Sequence, residues 1–174
     1  MSEDMVGGPI VVGIDGSDSA RQAALWAADE AVRRGAAVRL VSAVHIQMSG
    51  YQGAVPMPLD FIDELKDEAH RQVAQAQLEV LSRHGELTVD VAVLAAPAVP
   101  ALVEESTKAQ LMVLGSRGLG GFTGILAGST AVALVAHGHC PVAVIRGDGS
   151  ATGPVVVGVD GSPVSEAEIG RAHV

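Results

Sequence analysis

Three features of the sequence predict an α/β fold, a doubly wound five-stranded parallel sheet with helices on both faces. Short apolar runs alternate with longer segments of helical period, in the order βαβαβαβαβ. The runs are aliphatic and nearly continuous, which is typical of strands covered on both sides. The 174 residues are 48% hydrophobic but only 2% aromatic, so we expect one core built from Val, Ala, Leu and Ile.

The elements follow from these patterns in chain order. Apolar runs predict strands over 9–14, 37–45, 87–95, 111–114 and 141–146. Apolar residues at helical spacing predict helices over 20–34, 60–83, 99–109 and 129–137. Asp18 and Ser19 offer capping oxygens to the first helix, and Gly35 ends it. Pro97 and Pro100 suit the first turn of the third helix.

Two segments between these elements need an interpretation. Residues Ile46–Leu59 contain two glycines, two prolines and no sustained period, which predicts a long, mobile loop. Loops of this length inside compact domains are usually functional or disordered. The second helix carries an acidic face, which we interpret as solvated rather than as a metal or acid/base cluster; it comprises Asp63, Glu64, Asp67 and Glu68.

The stretch Leu111–Thr130 predicts a strand, a glycine-rich loop and the start of a helix. Free amides in such a loop, together with those of a helix N-terminus, can hold an anion such as phosphate. No Gly-Lys-Ser/Thr occurs in the chain, which excludes a Walker A loop, and Thr123 breaks the dinucleotide fingerprint. Glycine content alone leaves two interpretations open, a phosphate cradle and a plain connecting loop.

The spacing of these glycines resembles that of a known family. Gly115, Gly118 and Gly128-Ser129 fit the pattern Gly-x2-Gly-x9-Gly-Ser/Thr. Residues 9–17, PIVVGIDGS, and 138–146, GHCPVAVIR, look like a first strand with its Asp turn and a last strand with its lead-in. The chain therefore resembles the ATP-binding branch of the universal stress protein family. The resemblance implies an adenine nucleotide α-hydrolase-like, Rossmann-like fold that binds ATP with Mg²⁺.

The resemblance also implies which residues hold the nucleotide. They are Gly13, Ile14, Asp15, Ala43, Val44, Gly115, Arg117, Gly118, Gly128, Ser129 and Thr130. Backbone near Ala43 and Val44 would contact adenine, Asp15 would assist Mg²⁺ or ribose binding, and the glycine motif would hold the phosphates. Structural alternatives remain for several of them. Asp15 also fits a turn, Ser129 and Thr130 also fit helix caps, and Arg117 also fits an exposed loop.

Charge and cysteine content restrict the partners and the compartment. The net charge of −9 argues against nucleic acid or an anionic membrane as a partner. One cysteine, Cys140, excludes an intramolecular disulfide, and its neighbours His137 and His139 fit a turn better than a metal site. The N-terminus has no signal-peptide pattern, and the longest apolar run, Phe122–Ala136, is too short for a membrane span. We expect a cytoplasmic protein.

Three functions remain open at this level. No base or water-orienting residue accompanies the glycine motif, which favours an ATP-binding protein with slow hydrolysis at most. The resemblance implies that this protein is a nucleotide-dependent regulator of a stress response. The alternatives are an interaction module with a vestigial nucleotide site, and an ATPase or nucleotide-dependent transferase. The apolar fifth strand, Pro141–Arg146, would be an exposed edge, so we expect a homodimer paired through it.

The beginning of the chain is repeated near its end. GPVVVGVDGS at 153–162 matches GPIVVGIDGS at 8–17 with a period of 145 residues. We therefore expect a domain over 1–147, a linker over 148–153, and over 154–174 the first strand and start of a truncated second domain.

Overall fold

A computed structural model describes residues 7–45, 59–118, 128–147, 156–163 and 165–167. The strands are β1 Ile10–Gly13, β2 Val38–Ala43, β3 Val89–Leu94, β4 Leu111–Gly115 and β5 Val142–Ile145. The helices are α1 Asp18–Arg34, α2 Leu59–Arg83, α3 Ala98–Ser106 and α4 Ser129–His137. The predicted α/β fold and its element order are confirmed. The predicted loop over 46–59 lies outside the described residues except at Leu59, which is the first residue of α2 and not part of a loop. Most of the glycine-rich loop and the linker also lie outside the described residues.

The five strands form one parallel sheet in the order β3-β2-β1-β4-β5. Helices α1 and α2 cover one face, where Ile10 and Val12 of the central strand are fully buried. Helices α3 and α4 cover the other face, where Val11 is fully buried. Consecutive residues of a strand point to opposite faces, so the continuous apolar run of β1 fills both cores.

Helix α1 lies close to the sheet because its inner face consists of alanines. The buried members are Ala20, Ala23, Ala24, Ala27, Ala28 and Ala31. Its start differs from the prediction. Ser17 is the N-cap, and its Oγ accepts a hydrogen bond from the backbone N–H of Ala20 at 3.2 Å, whereas Asp18 is already helical.

Helix α3 ends at Ser106, three residues before the predicted end at Ala109. The hydroxyl of Ser106 donates to Val103 O at 2.6 Å, and that of Thr107 donates to Glu104 O at 2.7 Å. These side chains satisfy the last carbonyls and compete with continued helix.

The order of the strands creates an opening at one edge of the sheet. The chain moves from β1 to β2 and β3 on one side, and then returns to β4 and β5 on the other side of β1. The connections that leave β1 and β4 therefore diverge, and a crevice opens at the carboxyl ends of these two strands. No helix in the described ranges is long and apolar enough to cross a membrane.

The repeated motif near the end of the chain forms the same local turn as the first copy. Gly16 and Gly161 have φ values of +83° and +82°. The N–H of Ser17 donates to Asp15 Oδ1 at 3.0 Å, and the N–H of Ser162 donates to Asp160 Oδ1 at 2.9 Å. Residues 156–158, which match residues 11–13 of β1 in sequence, are not in a strand.

Candidate functional site

A cavity of about 610 Å³ opens at the carboxyl ends of β1 and β4. Strand ends, the start of α3 and the start of α4 enclose it. Its lining comprises Gly13, Ile14, Asp15, Ala20, Val41, Ala43, Ala98, Leu102, Leu114, Gly115, Ser116, Arg117, Gly118, Gly128, Ser129, Thr130 and Ala131. Parts of the chain more than 100 residues apart thus meet in one place.

Every residue predicted to hold a nucleotide lines this cavity except Val44. The backbone N–H of Val44 donates to Leu94 O at 2.8 Å, so it continues the pairing of β2 with β3. Ala43, one residue earlier, is the strand-end residue that reaches the cavity. The roles of these residues as nucleotide ligands stay a prediction.

One end of the cavity is apolar, and sequence reasoning did not anticipate most of its residues. Its walls include Val41 of β2, Leu114 of β4, and Ala98 and Leu102 of α3. Leu102 and Leu114 also belong to the core beneath α3 and α4. In the sequence, an apolar residue that lines the cavity cannot be distinguished from one that only packs in the core. The one available signal was the predicted position of the third helix directly after a strand's carboxyl end.

The other end of the cavity is polar and centres on Asp15. Asp15 Oδ1 accepts hydrogen bonds from the N–H of Ser17 at 3.0 Å and from its hydroxyl at 2.6 Å. Asp15 is therefore both a turn-forming residue and a cavity residue. A Cβ atom on Gly118 would lie 2.6 Å from Asp15 Oδ2, so a side chain at this position would force the carboxylate to shift.

The start of the glycine-rich loop is held against the start of α1. The hydroxyl of Ser17 donates to Arg117 O at 3.3 Å, and the N–H of Arg117 donates to Ser19 Oγ at 3.3 Å. A Cβ atom on Gly115 would lie 2.6 Å from the carbonyl carbon of Ser19. These contacts fix the main chain of Arg117, whose side chain is exposed.

Helix α4 begins at the same end of the cavity. Gly128 is the N-cap, with φ −64° and ψ 156°, and has no side-chain capping bond. Ser129 and Thr130 lie inside the first turn, so the alternative that they serve as helix caps is wrong. Amides at a helix N-terminus favour an anion, because they point out of the helix and carry the positive end of its dipole.

The charged groups of the lining are one carboxylate, Asp15, and one guanidinium, Arg117. Within the described ranges, no three His, Cys, Asp or Glu side chains are placed to hold a metal ion together. Asp15 fits Mg²⁺ if phosphate oxygens and water supply the other ligands, as is usual for this ion.

The residues between α4 and β5 form a structural turn. The N–H of His139 donates to the buried Ser106 Oγ at 2.9 Å. Burial raises the pKa of the half-buried Cys140 thiol, although a hydrogen bond with the backbone of Met112 lowers it. A raised pKa keeps the thiol protonated and unreactive at neutral pH.

The parallel sheet with helices on both faces, open at its switch point, defines a Rossmann-like α/β protein. The chain belongs to the universal stress protein family, whose family model matches residues 8–146.

Relatives and solved structures agree with this assignment. Universal stress protein Rv2623 of Mycobacterium tuberculosis is 40% identical over 169 residues, which cover 90% of this chain and 55% of the relative. The chain thus spans about half the length of the curated relatives it matches.

Two crystal structures illustrate the shared fold. A universal stress family protein from Burkholderia pseudomallei has a TM-score of 0.62 at 24% identity, covering 83% of this chain and 98% of that one. A universal stress protein in complex with cAMP has a TM-score of 0.57 at 26% identity, covering 80% and 97%.

Proposed function

We propose that this domain binds ATP together with Mg²⁺ and acts as a nucleotide-dependent regulator in a stress response. The observation that carries the proposal is the division of one cavity into an apolar end and a polar end with anion-binding amides. A nucleotide has the same division, with a flat apolar base at one end and phosphates at the other.

The apolar end suits the adenine base. Val41, Ala98 and Leu102 supply apolar walls, and Ala43 supplies main chain at the strand end. Peptide groups along a strand alternate in direction. Because Val44 N–H points to β3, the N–H and C=O of Ala43 point toward the β1 side of β2, where the cavity opens.

The polar end suits the phosphates. Gly118 and the first turn of α4 offer amides, and Arg117 offers a positive charge. Asp15 lies beside Gly118 and would repel a phosphate held there. Asp15 would hold a Mg²⁺ ion, which would offset that repulsion and supply Lewis acidity toward the phosphates.

One structural relative supports the class of ligand. The universal stress protein in complex with cAMP holds an adenine nucleotide, and it shares 26% identity and most of its length with this chain. A regulatory role is favoured over rapid hydrolysis, because Asp15 is the only acidic group among the described residues of the cavity lining that could orient a water.

Assembly forms the second part of the proposal. Two copies pair through β5, including Pro141 and Arg146 at its ends, to form a homodimer. The α4 helix beside β5 exposes Val132 and Val135 to 59% and 69%, an apolar surface that pairing would cover.

The third part of the proposal is a tandem arrangement of two domains. A domain of the same fold begins near residue 154, after a first domain over 1–147 and a linker over 148–153. The identical turns at Asp15 and Asp160 support this layout, as does the greater length of the curated relatives.

The first experiment identifies bound nucleotide. Freshly purified protein is denatured, and the released nucleotide is identified by chromatography beside Gly118→Val and Gly158→Val variants. We expect ATP or ADP from the original protein and from Gly158→Val, because a Cβ at Gly158 meets no heavy atom within 4 Å. Gly118→Val should release none, because its side chain would displace the Asp15 carboxylate.

Calorimetry with added ATP, ADP and AMP, with and without Mg²⁺, completes the test. If the purified protein releases no nucleotide and binds none of the three, the nucleotide proposal is refuted and the interaction-module function replaces it. Equal binding by the Gly118→Val variant would place the ligand away from the glycine-rich loop.

A further inference from the structure

The hydroxyl of Ser17 contacts two parts of the polar end at once. It donates to Asp15 Oδ1 at 2.6 Å and lies 3.3 Å from Arg117 O, with donor geometry toward both. It also accepts the hydrogen bond from Ala20 N–H that caps α1. A hydroxyl carries one hydrogen, so Asp15 and Arg117 share it. The shorter, charge-assisted bond to the carboxylate is the stronger of the two.

This arrangement sets the direction of the Asp15 side chain. Two donors from Ser17, its N–H and its hydroxyl, hold Oδ1. The other oxygen, Oδ2, is thereby directed at Gly118, where a Cβ atom would approach it to 2.6 Å. The carboxylate is oriented toward the loop before any ligand binds.

We propose that Ser17 is a positioning residue of this site, which aims Asp15 at the phosphate end and links it to the start of the glycine-rich loop. The inference rests on the proposed function, because it assigns Ser17 to the same nucleotide site. A cation on Asp15 withdraws negative charge from Oδ1 and weakens its hold on the hydroxyl. The hydrogen then turns to Arg117 O and holds the loop more tightly, so cation binding and loop position support each other.

Two substitutions separate this role from capping of α1. Ser17→Gly removes the hydroxyl but keeps the N–H that holds Oδ1, and glycine is well tolerated as an N-cap. Ser17→Thr keeps a hydroxyl at the same place and should behave like the original protein. Ser162→Gly is the matched control, because Ser162 makes the same turn and the same cap, and among the described residues its hydroxyl has no contact that corresponds to Arg117 O.

The measurement is ATP affinity by calorimetry, at saturating Mg²⁺ and in EDTA. We expect Ser17→Gly to weaken ATP binding about tenfold in Mg²⁺, as is typical when the partner of a metal-binding carboxylate is lost. The affinity for ATP in EDTA should change little, because EDTA removes the Mg²⁺ and Asp15 then holds no cation. In an Asp15→Asn background, Ser17→Gly should produce no further loss in Mg²⁺.

Three results would overturn the inference. They are an unchanged affinity in Ser17→Gly, an equal loss with and without Mg²⁺, and a full loss that persists in the Asp15→Asn background. Thermal unfolding of each variant, compared with that of Ser162→Gly, identifies any variant that fails to fold. If Ser17→Gly fails to fold, Ser17→Thr tests the inference instead: retained ATP affinity supports it, and lost affinity contradicts it. If the original protein binds no ATP in either condition, the proposed function fails as well; if it binds and Ser17→Gly is insensitive, only this inference fails.

Discussion

Ala98 shows how a single small side chain shapes the apolar end of the cavity. It is the first residue of α3, it lines the cavity, and it is exposed in the absence of a ligand. The neighbouring walls, Leu102 and Leu114, are buried in the core. A larger side chain at Ala98 would therefore fill the space proposed for the base while leaving the core packing intact.

We expect Ala98→Leu to weaken ATP binding by about 1–3 kcal/mol, the usual effect of misfit in an apolar pocket. Binding of inorganic tripolyphosphate, which has no base, should be unaffected. Isothermal calorimetry measures both. Ala95→Leu is the control, because Ala95 is exposed and lies outside the lining. Equal effects of the two substitutions on ATP would contradict an adenine site at this end.

At the scale of the elements, helix α1 is attached by different interactions on its different faces. Its alanines pack on the sheet, and Arg21 Nε pairs with Glu79 of α2 at 3.0 Å. Near its C-terminal end, Glu30 pairs with Arg34 Nε at 2.5 Å and also with Arg33. The N-terminal end of α1 lies beside the cavity, so the pair between Arg21 and Glu79 helps to hold an element that contacts the site. The Glu30 pairs lie within α1 and stabilise the helix itself.

The Glu30 pairs predict a specific pH dependence. Burial raises the pKa of Glu30, but hydrogen bonds and charge from Arg34 and Arg33 outweigh it and hold the pKa below the ordinary value of 4.5. The folded state therefore gains stability from the ionised carboxylate above about pH 4.5, and loses this gain as the pH falls through the lowered pKa.

We expect Glu30→Gln to lower the free energy of unfolding by about 0.5–1 kcal/mol at pH 7. The difference from the original protein should shrink as the pH falls below 4.5 and through the lowered pKa of Glu30, because the protonated carboxyl is then neutral, as the Gln side chain is. Urea unfolding at pH 7 and at successively lower pH measures it. A difference that stays constant or grows in acid would show that the arginine pairs do not cause the effect.

At the scale of the whole molecule, the two edges of the sheet differ. The β3 edge is protected, since Gln77 Nε2 donates to Val89 O at 3.1 Å and Asp90 pairs with Arg39. The β5 edge lies beside the exposed valines of α4, Val132 and Val135. An unprotected apolar edge is where another chain would pair, which favours the β5 side for the proposed homodimer.

We expect Val135→Glu to shift the protein from dimer to monomer in sedimentation velocity, because it puts a charge into the proposed interface. Leu78→Glu, on α2, should leave the dimer intact. The two side chains are similarly exposed, 69% for Val135 and 64% for Leu78. A difference between the two variants would therefore reflect where the charge is placed, and not the loss of an exposed apolar side chain. A monomer mass for the original protein that does not change with concentration would refute the homodimer.

The sequence predicted the element order well, because aliphatic runs and helical periods report burial directly. Boundaries were less predictable where several residues offered the same chemistry. Ser17, Asp18 and Ser19 can all cap a helix, and the bonds between Ser17 and Asp15 decide for Ser17. The family resemblance implied the polar cavity residues Asp15, Arg117, Ser129 and Thr130. Ser116, Ala98 and Leu102 also line the cavity, but no local pattern distinguished them from core.

The Asp-Gly-Ser turn is what the sequence by itself determines about this protein. It forms alike at Asp15 and Asp160, because its hydrogen bonds join residues only two or three positions apart. The strand before it depends on tertiary structure. Residues 11–13 lie in a strand between β2 and β4, whereas their identical copy at 156–158 does not, because a strand's hydrogen bonds need neighbouring strands. The cavity is likewise tertiary, since only the strand order brings Asp15, Ala98 and Gly128 together.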